Sequence, residues 1–360
     1  MTTRKQPWIP RMHLFEIDDQ PWFPSFLRAH VQAGLTHAWN FRLPPLQAST
    51  PAALVAETLR RTLGGDGGAA KYTYIDFCAG AGGPTPDIER ALNERLLVRQ
   101  NGSSATSSNG SSTSSRAPSS VNGGSGGGPS YAAVASTEST LDDSRGKAGK
   151  KASRKGKGGK EETGEDGAAR FVLTDLHPHA AEWAAACKRS ENLSYIADPV
   201  DASDAPADLI ARYTAPGKKV FRLYNLAFHH FDDGLARAML RNTIETSDGF
   251  GIFELQERSI NSFITCFIFG IFSLFIAPFY YYSYYFTSPS SLFFIYVVPI
   301  VPFVLVFDGL VSSVRTRTPT EVEALLQTCG ADTTGWELKS GRQRFLWPTG
   351  YMSWIICTKK

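Results

Sequence analysis

Apolar and polar positions follow two rhythms along this chain, and they alternate. "PAALVAETLRRTLG" (51–64) opens with Pro after Ser-Thr and ends at Gly, the start and stop signals of a helix. "KYTYIDF" (71–77) is then a β-rich run, and "TPDIERALNERLLV" (85–98) spaces Ile88, Leu92, Leu96 and Leu97 as one face of a helix. Further on, "ARFVLTD", "LSYIAD", "KKVFRLYNLAF" and "GFGIFELQE" predict strands. The helical patterns "PHAAEWAAACKRS", "DAPADLIARYT" and "DDGLARAMLRNTIET" fall between them. Such alternation predicts an α/β fold: a doubly wound, mostly parallel sheet covered on both faces. Near the end, "TPTEVEALLQTCG" is a capped helix, and "GWELKSGR" and "YMSWIICTK" follow with no helix between them, an antiparallel pair.

Two stretches break the rhythm. Residues 100–169 pass from Ser-rich and Gly-rich tracts into "GKAGKKASRKGKGGK" and "EETGEDG". That composition buries too little apolar surface to offset its ordering entropy and predicts a disordered insertion. From Ser259 to Phe307 there is no Asp, Glu, Lys, Arg or His. The strands continue beyond both, so both are insertions within one domain of residues 51–360. Residues 1–50, rich in Trp, Phe and Pro, form an N-terminal packing arm in which "FPSFLRAHVQAGLTHAWNF" predicts a helix that packs on the domain or helps close its site.

Composition narrows the function. A net charge of +3 over 360 residues implies no specific nucleic-acid partner. The five cysteines are scattered without CxxC spacing, which argues against a disulfide framework or a zinc site, and no metal is expected. "MTTRKQPWIPRMHLFEIDDQPWFP" contains no apolar core of a cleavable signal peptide.

The candidate chemistry begins at "YIDFCAGAGGPTP" (74–86). Asp76 ends the first strand, and Gly80, Gly82 and Gly83 make a turn whose missing Cβ atoms let a ligand approach the backbone. In doubly wound sheets ligands bind at the carboxyl ends of the strands. Asp175 ends the second strand, placed to accept hydrogen bonds from ribose hydroxyls, and Asp201 follows the third, within reach of an exocyclic amine. "LYNLAFHHFDD" ends the fourth strand with Asn225, His229 and His230. Histidine is the side chain best suited to act as a base near neutral pH, so either histidine is a candidate base or substrate ligand and Asn225 a polar contact. Glu254, closing the fifth strand, is a second candidate on the substrate side.

Together "YIDFCAGAGG", "VLTDLHP", "VDASDAP" and "LYNLAFHHFDD" resemble the class I S-adenosylmethionine-dependent methyltransferases, over residues 51–258 without the insertion and again over 309–360. Cys78 stands where the family pattern carries its first glycine. The resemblance implies a Rossmann-like sheet of seven strands with the last antiparallel, S-adenosyl-L-methionine as cofactor, Asp175 at its ribose and Asp201 near its adenine. A nicotinamide-dependent oxidoreductase is the competing reading of a glycine turn. Pro84 and Pro86 weigh against it, since they remove backbone N–H donors that a pyrophosphate would use.

Ile260–Phe286 is long enough to cross a bilayer, while Leu292–Phe307 is shorter and broken by Pro299 and Pro302. Residues 259–307 are therefore expected to form a transmembrane or re-entrant hairpin, with an apolar lid or dimer surface as the alternative. Arg258, Arg315 and Arg317 at its two ends put the catalytic domain on the cytoplasmic side. The expected function is a membrane-anchored methyltransferase for a small or lipid-like acceptor; a non-catalytic membrane scaffold is the alternative.

Overall fold

The computed structural model describes residues 7–107, 167–280 and 289–360. In chain order the elements are α1 (Ser25–Asn40), α2 (Pro51–Thr62), α3 (Asp66–Ala69), β1 (Tyr72–Phe77), α4 (Thr85–Ser107), β2 (Arg170–Thr174), α5 (Ala180–Cys187) and β3 (Leu193–Tyr195). They continue with α6 (Ala207–Tyr213), β4 (Lys219–Asn225), a 3₁₀ turn (Phe228–His230), α7 (Asp233–Thr246), β5 (Gly249–Glu254) and α8 (Ile260–Tyr280). The chain ends with α9 (Pro289–Leu292), a π-helical turn (Phe293–Val297), α10 (Ile300–Arg315), α11 (Pro319–Gln327), β6 (Trp336–Leu346) and β7 (Gly350–Lys359).

The strands form one sheet in the order β3-β2-β1-β4-β5-β7-β6. β3, β2, β1, β4 and β5 pair in parallel, while β7 runs antiparallel to both β5 and β6. The sheet is therefore mixed, where a mostly parallel one was expected: the β6–β7 hairpin returns directly, without the crossover helix a parallel neighbour needs. Alternate residues of β1 serve opposite faces. Tyr74 joins the core under α2, α4 and α5, whereas Ile75 and Phe77 join the core under α6, α7 and α11.

Local signals set the helix ends. Thr50 Oγ1 accepts from the Ala53 amide with Pro51 at the first helical position, and Thr318 and Glu321 form a capping box at the start of α11. The expected insertion at 100–169 lies outside the described residues from 108 to 166. On its near side α4 runs on to Ser107, further than the spacing of its leucines suggested.

A third core lies apart from the sheet. Phe23, Leu27 and Val31 of the arm pack against Ile295, Val301, Val304 and Leu305 of the uncharged stretch. α8 and α10 approach closely at glycines: a Cβ on Gly270 would sit 2.1 Å from Val306 Cγ2, and one on Gly309 would sit 3.1 Å from Cys266 Sγ. Ser262 and Ser313 bridge the two helices through their hydroxyls at 2.9 Å.

Among the described residues no helix is long and apolar enough to cross a membrane. The expected crossing at Ile260–Phe286 is helical to Tyr280, and 281–286 fall outside the described residues. The second arm is broken into a π-helical turn and α10, which carries Asp308. The flanking arginines are not available to lipid either. Arg258, Arg315 and Arg317 are all buried, and they pair with Glu321, with Glu16 and with Asp233. The orientation argument drawn from them thus loses its basis.

Candidate functional site

The turn after β1 is left-handed at most of its residues. Gly80, Gly82 and Gly83 have φ of +51°, +108° and +48°, and Cys78 has +67°. A side chain in that region costs about 1–2 kcal/mol, so Cys78 occupies a position that glycine would hold without strain. A Cβ built on Gly80 would meet nothing within 4 Å. The backbone there faces open space.

Asp175 holds this turn in place. Its Oδ2 accepts from the Gly80 amide at 2.8 Å and its Oδ1 from the His177 amide at 2.8 Å. Trp183 Nε1 donates to the Gly80 carbonyl at 2.8 Å. Each carboxylate oxygen of Asp175 keeps capacity for another donor. Asp201 is exposed; its Oδ1 closes a turn by accepting from the Ser203 amide and hydroxyl. Because the Val200 amide donates to the Asp175 carbonyl, Asp201 is carried beside the end of β2. Burial pushes the Cys78 thiol up, and the nearby charges of Asp175, Asp76 and Asp201 push it further. The three acids surround the turn.

Asp76 lies beneath it, 1% exposed. Thr85 Oγ1 donates to its Oδ2 at 2.5 Å, and Asn225 Nδ2 donates in turn to Thr85 Oγ1 at 3.1 Å. Asp76 Oδ1 and Asn225 Oδ1 are buried with no partner. Burial raises the Asp76 carboxyl to about 7, against the Thr85 hydrogen bond that lowers it. Thr85 carries no signal in the sequence beyond its place before Pro86. At the start of α4 the Thr85, Asp87 and Ile88 amides bond to Gly82 and Pro84 carbonyls, and Pro86 has no N–H. That helix end has no donor to offer a pyrophosphate.

The structure sends the two histidines elsewhere. His229 is 2% exposed, with Nδ1 2.8 Å from Glu254 Oε2 and Nε2 3.6 Å from Glu16 Oε1. Nδ1 of His230 lies 2.9 Å from Asp19 Oδ2. Arg315 Nη1 pairs with Glu16 Oε1 at 3.1 Å, and its Nη2 donates to the His230 carbonyl. Asp308 accepts from the Ile17 and Asp18 amides. Burial lowers the His230 imidazole, but the Asp19 hydrogen bond and the charges of Glu16 and Asp19 outweigh it and raise it to about 9. Ligand atoms of Glu16, His229 and His230 lie within 4.8 Å of one another, yet a protonated His230 and the Arg315 guanidinium already neutralise that cluster. Both histidines are placed as ties between the end of β4, the arm and α10, and not as a base at an open site. Glu16, Asp19 and Asp308 give no motif in the sequence; only the fold joins them.

A cavity of about 340 Å³ opens beside the sheet's carboxyl edge. Leu226, which follows Asn225 and has φ of +51°, lines it together with Leu255 and Gln256 after β5. Its far walls come from α1, α8, α10 and the β6–β7 turn, including Ala38, Phe272 and Trp347. Neither His229 nor His230 lines it.

No family model matches the sequence. The search of curated proteins gave no match. Among solved structures the chain is similar to the pyocyanin biosynthetic protein PhzM, at 13% identity and a TM-score of 0.37 over 85% of this chain and 55% of that one. It is also similar to an O-methyltransferase family protein from Burkholderia thailandensis, at 9% identity and 0.35 over 86% and 56%. A third likeness is to the plantazolicin methyltransferase BpumL in complex with a triazolic desmethylPZN analog and SAH, at 10% identity and 0.40 over 93% and 99%. The chain spans about half the length of the first two. At such identities and scores, function has to be argued from this chain's own residues.

Proposed function

We propose that this chain is an S-adenosylmethionine-dependent methyltransferase acting on a small or lipid-like acceptor. The carrying observation is the glycine turn open at Gly80, flanked by Asp175, which takes one amide on each carboxylate oxygen and keeps capacity for more, and by exposed Asp201. Spare carboxylate acceptors around a backbone that faces open space suit a ligand rich in donors. S-adenosylmethionine carries donors on its ammonium, ribose and adenine. When bound, it supplies a methyl carbon made electrophilic by a sulfonium. Asp175, with spare capacity on both oxygens, would hold the ribose hydroxyls, and exposed Asp201 would meet the adenine amine. The spent donors at the start of α4 support this ligand over a dinucleotide.

Alignment is the main contribution of these residues to transfer. Asn225 joins β4 to the turn through Thr85, and the His229–Glu254 pair fixes the 3₁₀ turn that follows. The outer face of α8 supports membrane attachment by surface seating: Ile260, Ile264, Phe267, Ile271 and Phe275 are exposed along one helical stripe. In this reading α8 lies on the bilayer surface.

Pure protein incubated with labelled methyl donor and membrane lipid extract tests the reading. Label is expected in the lipid fraction, with Asp175→Ala reducing it at least tenfold. Label found only on soluble acceptors would exclude a lipid-like acceptor, and no transfer to any acceptor would exclude the enzyme. Flotation with liposomes tests the seating, which Ile264→Glu with Ile271→Glu should abolish. Wild-type protein that stays at the bottom of the gradient would refute it.

A further inference from the structure

Protein interiors pack with few voids larger than a water molecule, so a cavity of about 340 Å³ is built for an occupant. It is more than twice the size of an apolar cavity of about 150 Å³ that stays dry and takes benzene. Among the described residues that line it there is no Asp, Glu, Lys, Arg or Tyr. His37 and Cys266 are the ionisable side chains among them. Desolvation favours the neutral form of both, lowering the imidazole and raising the thiol to about 11. An ammonium, carboxylate or phosphate inside would be an unpaired buried charge, so the part of a ligand that enters is neutral. The lining hydroxyls are taken up by the chain itself: Ser262 meets Ser313, Thr265 donates to the Asn261 carbonyl and Ser273 to the Gly270 carbonyl. What fits such a space is hydrocarbon.

The rim is apolar too. Leu35, Leu46, Ile268 and Trp347 line the cavity and are also exposed, Trp347 at 56%. Ile268 belongs to α8 and stands beside the outer stripe of that helix: Phe267 precedes it, and Ile264 and Ile271 lie one turn before and after, all three exposed. On its other side α8 offers half-buried Phe269 and Phe272 to the cavity. One helix thus carries both surfaces, and Ile268 joins them. An amphipathic helix seated on a bilayer sinks about 5–10 Å, to the boundary of headgroups and acyl chains, so a rim beside it meets chains.

Deepening the lipid-like acceptor reading, and resting on the seating of α8 proposed with it, we propose that this cavity takes one hydrocarbon chain of a membrane lipid. The chain enters from the bilayer past Ile268 and lies between α1, α8 and α10, against Phe269, Phe272 and Leu305. The charged headgroup stays outside. The site therefore selects a lipid by its chain and holds it beside the carboxyl edge of the sheet.

Photolabelling of the intact protein on liposomes tests this, with phosphatidylcholine that carries a diazirine midway along one chain and with labelled residues mapped by mass spectrometry. Label is expected on the cavity wall, at Phe269 and Leu305, as well as on the outer stripe, at Phe267 and Ile271. Ala38→Trp, which projects an indole into the cavity from α1, should lose the inner label and keep the outer one. Where that variant does not fold, Phe272→Trp, which narrows the space from α8, decides by the same readout. Outer label without inner label in the wild type would overturn the proposal and leave the seating intact. Absence of both would overturn the bilayer as the source together with the seating. Inner label that survives Ala38→Trp in a protein whose circular dichroism is intact would also overturn it. So would inner label from a soluble diazirine alkanol on lipid-free protein with none from liposomes, which would give the cavity to a soluble apolar molecule. No arm uses S-adenosylmethionine, so failure here leaves the cofactor reading standing, and failure of that reading leaves the chain site standing.

Discussion

The glycine turn after β1 and the ionic strap under α10 are both buried, polar and built around carboxylates. They differ in what they leave unfinished. At the strap the acids are all met, Glu16 by Arg315 and Ser312, Asp308 by two backbone amides and Glu254 by His229, and the unpaired group is a donor, Arg315 Nε. At the turn Asp76 and Asn225 each keep a buried oxygen with no donor, and Asp175 keeps spare capacity. Acids answered within the chain hold its elements together, whereas spare acceptors on a part-exposed carboxylate at a strand's carboxyl edge suit a ligand. The same contrast moves the two histidines from candidate chemistry to architecture.

The largest effect expected from this contrast is at the strap. Arg315→Met leaves Glu16 buried without its cation and should cost about 3–5 kcal/mol in urea unfolding, the usual result of removing one partner of a buried pair. Asp175→Ala at the turn should cost about 1 kcal/mol by the same measurement, since half-buried amides regain water. Equal losses would erase the distinction.

Next comes the third core. Leu305→Ala, at 6% exposure between the arm and α10, should lose about 2–4 kcal/mol. Cofactor affinity should not move, because none of the residues around the turn belongs to that core.

The pH dependence should be smaller and should come from the strap and from Asp76 at the turn, which burial raises to about 7. His230 is raised from 6.5 to about 9, so its pairing contributes fully below about pH 6.5 and is lost as pH rises through 9. Burial and neighbouring carboxylates raise Asp18 to about 7, and burial raises Asp308 to about 6 against its two amide bonds. Both favour the protonated form in the fold, so their contribution is present below about pH 4 and fades as pH rises through 6 to 7. Thermal stability should therefore fall from mildly acid to alkaline pH, and His230→Gln should flatten the portion between 6.5 and 9. The smallest effect belongs to Cys78→Gly. Relief of the positive φ offsets lost packing and added unfolded-state freedom, so stability should change by less than about 1 kcal/mol with cofactor binding kept.

Much of this fold was legible because its signals are local. The Ser-Thr-Pro start of α2, the capping box of α11 and the alternating faces of β1 each lie within a few residues. So does the glycine turn, down to Cys78 as a residue standing in a glycine's place. The strap was not legible, since Glu16 and Arg315 are far apart in the chain and neither belongs to a motif. The uncharged stretch misleads for a related reason. Hydropathy counts apolar residues but cannot see α1 arriving to cover Val301, Val304 and Leu305, nor acids arriving to bury the flanking arginines.

Calorimetric titration of the intact protein with S-adenosylmethionine, beside NAD and beside the Asp175→Ala variant, tests the central claim most directly. The account predicts saturable one-to-one binding of S-adenosylmethionine, at least tenfold weaker binding to Asp175→Ala, and no heat with NAD. No binding of S-adenosylmethionine by folded wild-type protein, or saturable binding of NAD in its place, would contradict it.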